Sequence, residues 1–144
     1  MWLLLATTAS MFWGISYVFS EQLYKHISVL TTLSIEMFVI SLIIGVAAWR
    51  DGDLRPDMTT LFSSPRLGWL LLGSIIVWAV AELCINYSIA DKDATLAGLI
   101  EITYPLFIAL FAYLFFQESE LNIGTTLGGL LVFCGVCVIY FFSR

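Results

Sequence analysis

Hydrophobic residues occur in five long runs along this chain, and polar residues collect in the short gaps between the runs. A helix rises about 1.5 Å per residue, so about 20 apolar residues cross the roughly 30 Å hydrocarbon core of a bilayer. The runs have this length and lack the amphipathic stripes of a soluble fold. They predict transmembrane helices near residues 2–20, 27–49, 67–90, 95–116 and 123–142.

The longest gap, residues 50–66, contains Gly52, Pro56, Pro65 and several aspartates. Such residues favour turns, so the segment is predicted to be a surface loop with room for one amphipathic turn. The other connectors are short and leave no place for a soluble domain. The expected fold is therefore an all-α integral membrane protein, a bundle of about five helices forming one transmembrane domain over residues 1–144.

Composition agrees with a membrane protein, because 60% of the 144 residues are hydrophobic and only 12% are charged. The net charge of −5 argues against nucleic acid as a partner. No cluster of lysines and arginines is present to attract anionic headgroups. The expected partners are a small-molecule substrate and the lipid bilayer, and the expected location is the plasma membrane. No cofactor and no metal are expected.

Basic residues give little indication of orientation. With five spans, they divide equally between the two sides of the membrane: Arg50, Arg55 and Arg66 on one side, and Lys25, Lys92 and Arg144 on the other. The amino terminus adds a positive charge that slightly favours a cytoplasmic N-terminus. A near tie is also what a chain that inserts in both orientations would have, so dual insertion stays open.

Three acidic residues lie inside the apolar runs: Glu36, Glu82 and Glu101. Counted inward from the same membrane face, each lies about 12–15 Å deep at helical rise, so they are predicted to share one layer. A charge at this depth costs roughly 2.5–3.5 kcal/mol on insertion scales. No lysine or arginine lies in a helix interior to neutralise them. We therefore expect them to face one another, water or a ligand, with at least one protonated at neutral pH.

Further polar and aromatic residues accompany these carboxylates. In the third run Ser74, Trp78, Glu82 and Asn86 recur every four residues and so share one helix face. An aromatic ring beside a carboxylate is a suitable seat for an amine or an organic cation. Trp78 and Asn86 are accordingly predicted to line a cavity.

The fourth run contains Pro105 four residues after Glu101, where its ring would collide with the Glu101 carbonyl and kink the helix. Tyr104 joins the candidate site at this kink, with simple packing as its alternative role. The glutamates have an alternative as well, since a protonated carboxyl can join neighbouring helices by hydrogen bonds. In the last run Gly124, Gly128 and Gly135 are predicted to allow close helix packing, within the chain or between chains.

From Leu70 to Phe142 the sequence resembles one EamA-type repeat of the drug/metabolite transporter superfamily. The resemblance runs through NYSIADKDATLAGLIEITYPLFIALFAYLFFQESELNIGTTLGGLLVFCGVCVIYFF and, more loosely, through Trp13-Gly14 near the start. The matching features are a small residue ending one helix, a proline within the next, then a glutamate and a glycine-bearing last helix. They fall on Ala90, Pro105, Glu118, Gly128 and Gly135.

This resemblance implies a half of a ten-helix inverted-repeat transporter, whose substrate site would lie between the halves. The second half would be another copy of the chain, in an antiparallel homodimer like those of the family's small multidrug members, or a paralogous half-transporter. One departure concerns the second helix, where the repeat usually carries an arginine and this chain has Glu36 instead. That difference leaves the charge of the substrate to be argued from the residues present.

The function expected is secondary transport of a small cationic or zwitterionic metabolite or drug, coupled to protons and working by alternating access in a dimer. The alternative is a non-transporting accessory or assembly subunit in which the glutamates only join helices. An enzyme is not expected, because the bundle offers no His/Cys metal cluster and no Ser/His/Asp set.

Overall fold

A computed structural model describes residues 1–117 and 122–142, so Glu118 and Arg144 lie outside the described residues. Over this part of the chain all the regular structure is helical, as the sequence predicts. The helices are α1 (Trp2–Tyr24), α2 (Val29–Asp51), α3 (Leu54–Ser63), α4 (Pro65–Asp91), α5 (Ala94–Glu101), α6 (Tyr104–Phe116) and α7 (Ile123–Phe142).

Five helical segments are long and apolar enough to cross a membrane: α1, α2, α4, α7, and α5 together with α6 as the segment Ala94–Phe116. This confirms the prediction of a multi-pass membrane protein with five spans. Helices suit this environment because they pair backbone N–H and C=O groups within the segment, where hydrocarbon offers no partners.

The segment between α2 and α4 corrects the prediction of a loop over residues 50–66, because helix α3 occupies most of it. Gly52 ends α2 in the left-handed conformation, with φ of 82°, which glycine adopts without strain. Pro56 stands in the first turn of α3, where its missing N–H breaks no helical bond. Pro65 begins α4 for the same reason. These residues were typical of a loop, but they mark helix ends.

The fourth span is broken rather than kinked as one helix, since α5 ends at Glu101 and α6 begins at Tyr104. The N–H and the hydroxyl of Thr103 both donate to the carbonyl of Ile100, at 3.2 and 2.9 Å, so the chain tightens into a turn here. Pro105, the second residue of α6, has no N–H to offer Glu101. The predicted interruption of the helix is present, but it falls between Glu101 and Tyr104, on the N-terminal side of the proline.

Close packing is concentrated where α4 turns into α5. Ile89 is only 1% exposed and packs with Ala94 and Ala97. The start of α5 is fixed from two directions: Asp93 accepts from the N–H of Leu96 at 2.7 Å, and Glu21 of α1 accepts from the N–H of Ala94 at 2.9 Å. Helix α1 is thereby held against both α4 and α5.

The rest of the bundle is open, and no residue of α6 or α7 is buried. Among the glycines predicted to mediate packing, Gly128 and Gly135 face open space, and Gly124 lies beside only the side chain of Asn122. The close contact is at Gly129, where a side chain would strike Leu106 of α6. Gly128, its neighbour in α7, has no atom within 4 Å of the place where a Cβ would stand.

Enlarging Ala97 is expected to destabilise the α1–α4–α5 contact. Ala97 is 3% exposed, so the Ala97→Leu side chain would overpack the site and lower the free energy of unfolding by about 1–3 kcal/mol. The thermal unfolding midpoint of the detergent-solubilised protein measures this. Ala79→Leu, the same change at an exposed position of α4, is the control and should leave the midpoint within a degree or two of wild type. Equal midpoints for both variants would contradict the described packing.

Candidate functional site

The three glutamates of the apolar runs come from three helices, Glu36 from α2, Glu82 from α4 and Glu101 from the end of α5. All three are partly buried. The carboxyl of Glu82 is close enough to interact electrostatically with those of Glu101 and Glu36. Glu82 thus lies within electrostatic range of the other two predicted acidic residues, and we refer to Glu36, Glu82 and Glu101 as the acidic layer.

Helix α1 supplies a partner for one member of this layer. The hydroxyl of Tyr17 donates to Oε2 of Glu101 at 2.6 Å. The Tyr17 ring lies against Gly98, where a Cβ would be 3.5 Å from its edge, and its centroid is 5.7 Å from that of Trp13. The Tyr17 ring therefore packs against α5 and beside Trp13 while its hydroxyl reaches the Glu101 carboxylate.

A second chain of hydrogen bonds runs from α1 to Glu82. The Tyr24 hydroxyl donates to Oδ1 of Asn86 at 2.5 Å, and Nδ2 of Asn86 donates to Oε2 of Glu82 at 2.9 Å. The same Nδ2 lies 2.9 Å from the backbone carbonyl of Glu82. Asn86 is 4% exposed, and these contacts use both ends of its amide. It is the link between α1 and the carboxylate of α4.

Sequence reasoning did not assign Tyr17 or Tyr24 to the site. The signal was present, because Tyr17, Glu21 and Tyr24 recur at i, i+4 and i+7 and so lie on one face of α1. All three make hydrogen bonds to α4, α5 or the turn joining them. A polar stripe on an otherwise apolar span indicates the face that contacts other helices or a cavity, and that rule would have found them.

Other predicted residues are less closely connected. Glu36 makes no side-chain hydrogen bond to any residue in the described part of the chain. Trp78 lies one turn before Glu82 and is 50% exposed, and Tyr104 is 57% exposed but within electrostatic range of Tyr17. Ser74 lies on the polar stripe of α4, but its hydroxyl donates to the carbonyl of Leu71 within the same helix.

The electrostatics of the layer are one-sided. Within the described residues the ion pair recorded is Lys25 with Glu21 at 3.9 Å, outside the layer, so no cation neutralises the three carboxyls. Hydrogen-bond donors hold one oxygen each of Glu82 and Glu101, which leaves the other oxygen able to accept. Such an arrangement can take up protons, or bind an ammonium or another organic cation.

Two cavities occur elsewhere in the molecule. One, of about 320 Å³, lies between α6 and α7 and is lined by Pro105, Leu106, Gly128 and Gly129 among others. The other, of about 880 Å³, lies beside α3. None of the three glutamates lines either cavity. A single chain thus presents the acidic layer on a partly open face.

Among the described residues no group of three or more His, Cys, Asp or Glu side chains is placed to hold a metal ion.

Comparison with known families gives one match. The model of the EamA-like transporter family matches residues 1–141, which is nearly the whole chain. No curated protein and no solved structure matches.

Proposed function

The chain belongs to the EamA-like transporter family, and we propose that it carries a small cationic or zwitterionic metabolite or drug across the plasma membrane in exchange for protons. The family accounts for transport. The proposal about substrate charge and proton coupling depends on the residues of the acidic layer.

The observation that supports it most strongly is that the Glu82 carboxyl lies within electrostatic range of those of Glu36 and Glu101, from two other helices, without a neutralising cation in the described residues. Each would cost roughly 2.5–3.5 kcal/mol at mid-membrane if it faced lipid while charged. A bound cation or bound protons remove that cost, and the two compete because they occupy the same carboxylate oxygens. This competition couples the uphill movement of one to the downhill movement of the other.

In this mechanism Glu82 and Glu101 bind the substrate and the protons, and Glu36 adds a third negative charge. Tyr17 and Asn86 orient the two carboxylates through the hydrogen bonds at 2.6 and 2.9 Å. Trp78 and Tyr104, each about half exposed, are placed by the proposal on the cavity wall, where an aromatic face attracts an organic cation. Substrate would replace the tyrosine hydroxyl at Glu101 when it binds.

A second half completes the site in this proposal. Helices α6 and α7 bury no residue, and Gly135 of α7 faces open space, which would let another helix approach closely. Inverted-repeat transporters bind substrate between two halves. The equal numbers of basic residues on the two sides are consistent with an antiparallel homodimer, and a paralogous half-transporter would serve the same purpose.

Proton release tests the proposal directly. Adding a panel of amines and amino acids to the purified protein in weakly buffered detergent is expected to release protons with at least one compound, in proportion to the amount bound. In proteoliposomes, a gradient of the same compound should drive protons in the opposite direction, against the proton gradient. Binding without proton release would refute proton coupling and leave transport standing. If the protein neither binds nor transports any compound, the result would favour an accessory subunit whose glutamates only join helices.

A further inference from the structure

The cavity beside α3 lies apart from the acidic layer and plays no part in the proposed transport. Its volume is about 880 Å³, and its walls are the end of α2 and one side of α3. The lining includes Trp49, Leu54, Arg55, Met58, Thr59 and Phe62. Because α3 connects the end of one span to the start of the next, the cavity lies at the edge of the hydrocarbon core.

Most of this lining is apolar, and the described part of the chain leaves it exposed. Leu54, Met58 and Phe62 recur every four residues and form one stripe along α3. Phe62 is 80% exposed, and Trp49 at the end of α2 is 72% exposed. A helix with such a stripe lies in the plane of the interface with its apolar side at the boundary between headgroups and acyl chains.

A single cation stands among these apolar residues. Arg55 has no ion-pair partner in the part of the chain that the structure describes, and none of the aspartates near it in sequence lines the cavity. The hydroxyl of Thr59, one turn later, donates a hydrogen bond to the backbone carbonyl of Arg55 at 3.0 Å and not to a group in the cavity. The guanidinium therefore has free donors, and its planar group matches two oxygens of a phosphate.

We propose that this cavity binds one membrane phospholipid, with the phosphodiester on Arg55 and an acyl chain along the stripe of Leu54, Met58 and Phe62. Charge complementarity selects the phosphate, and the apolar lining selects a molecule with a tail over a free phosphate ion. The site has one arginine and not a cluster, so it requires the phosphate but no net negative charge on the lipid. The lipid would tie the α2–α3 connection to the membrane surface.

The experiment uses the full chain, delipidated in a phosphate-free maltoside detergent, with lipid binding counted by native mass spectrometry. The probe is dioleoyl phosphatidylethanolamine. Dioleoylglycerol has the same tails without phosphate, and inorganic phosphate has no tail. The variant is Arg55→Gln. Its control is Arg50→Gln, which removes the same charge from the end of α2 but does not line the cavity.

One phosphatidylethanolamine per chain is expected to bind wild type and Arg50→Gln alike, and Arg55→Gln about tenfold more weakly, the usual effect of losing one charge-assisted hydrogen-bonded contact. Dioleoylglycerol, which has no phosphate, should bind wild type and Arg55→Gln with the same affinity. Phe62→Ser should weaken binding while keeping the charge. Equal phospholipid binding by wild type and Arg55→Gln, or equal binding of dioleoylglycerol and phospholipid to wild type, would overturn the proposal. Saturation by inorganic phosphate would replace it with a free-anion site.

Discussion

The Glu101→Gln variant is expected to lose most substrate-dependent proton release and to bind substrate about 10- to 100-fold more weakly. Glutamine keeps the size of the side chain and can still accept from Tyr17, but it takes up no proton and offers no charge to a cation. A charge-assisted hydrogen bond contributes roughly 1.5–3 kcal/mol, which corresponds to the expected change in affinity. Calorimetric titration with the transported compound, combined with a pH-indicator dye, measures both quantities.

Asp57→Asn is the matched control for this experiment. It removes one carboxylate from α3, an exposed position far from the acidic layer along the chain, and should leave both readouts unchanged. Glu82→Gln should resemble Glu101→Gln. Unaltered affinity and proton release in Glu101→Gln, with a normal unfolding midpoint, would remove Glu101 from the proposed site. A variant that only unfolds more easily would indicate that its carboxyl joins α5 to α1.

Replacing Asn86 with leucine is expected to be the most destabilising single change among the polar residues of α4. Asn86 is 4% exposed and bonds to both Tyr24 and Glu82, so Asn86→Leu strips two partly buried groups of their partner. Each orphaned group costs roughly 1–3 kcal/mol, so the two together give a loss of about 2–6 kcal/mol. Unfolding of the purified protein by a graded denaturing detergent measures the loss.

Two further variants make this result specific. Ser74→Ala changes another polar residue of the same α4 stripe, one that bonds only to its own helix, and should be nearly neutral. Tyr24→Phe should be destabilising by itself and add little when combined with Asn86→Leu, because the two residues share one hydrogen bond. Additive effects of the pair would show that the bond between α1 and α4 is not formed in the folded protein.

The elements could be predicted from sequence because each depends on local properties. Bilayer thickness sets the length of an apolar run that becomes a span, and this length alone gives five spans. The same local signals were misread between residues 50 and 66, where Pro56 and Pro65 stand at helix starts and permit α3. Proline and glycine indicate that a helix begins or ends, but not whether another helix fits between them.

The candidate site was predictable only in part. Glu36, Glu82 and Glu101 were identified by the cost of placing carboxyls in hydrocarbon, a property of single residues. Their partners were not, since Tyr17 is 84 residues from Glu101 and Tyr24 is 62 from Asn86. Contacts over such distances depend on the rotation of each helix about its own axis. The same rotation brings Gly129 into contact with Leu106 of α6 and leaves Gly128 without a contact.

Hydrophobicity and charge act residue by residue against the bilayer, so the amino-acid sequence is enough to identify a multi-pass membrane protein with acidic residues inside its apolar spans. Which side chains contact one another depends on the tertiary structure. Packing around Ile89, Ala94 and Ala97 fixes α1 against α4 and α5, and that fixed face carries Tyr17 and Tyr24 to the carboxylates.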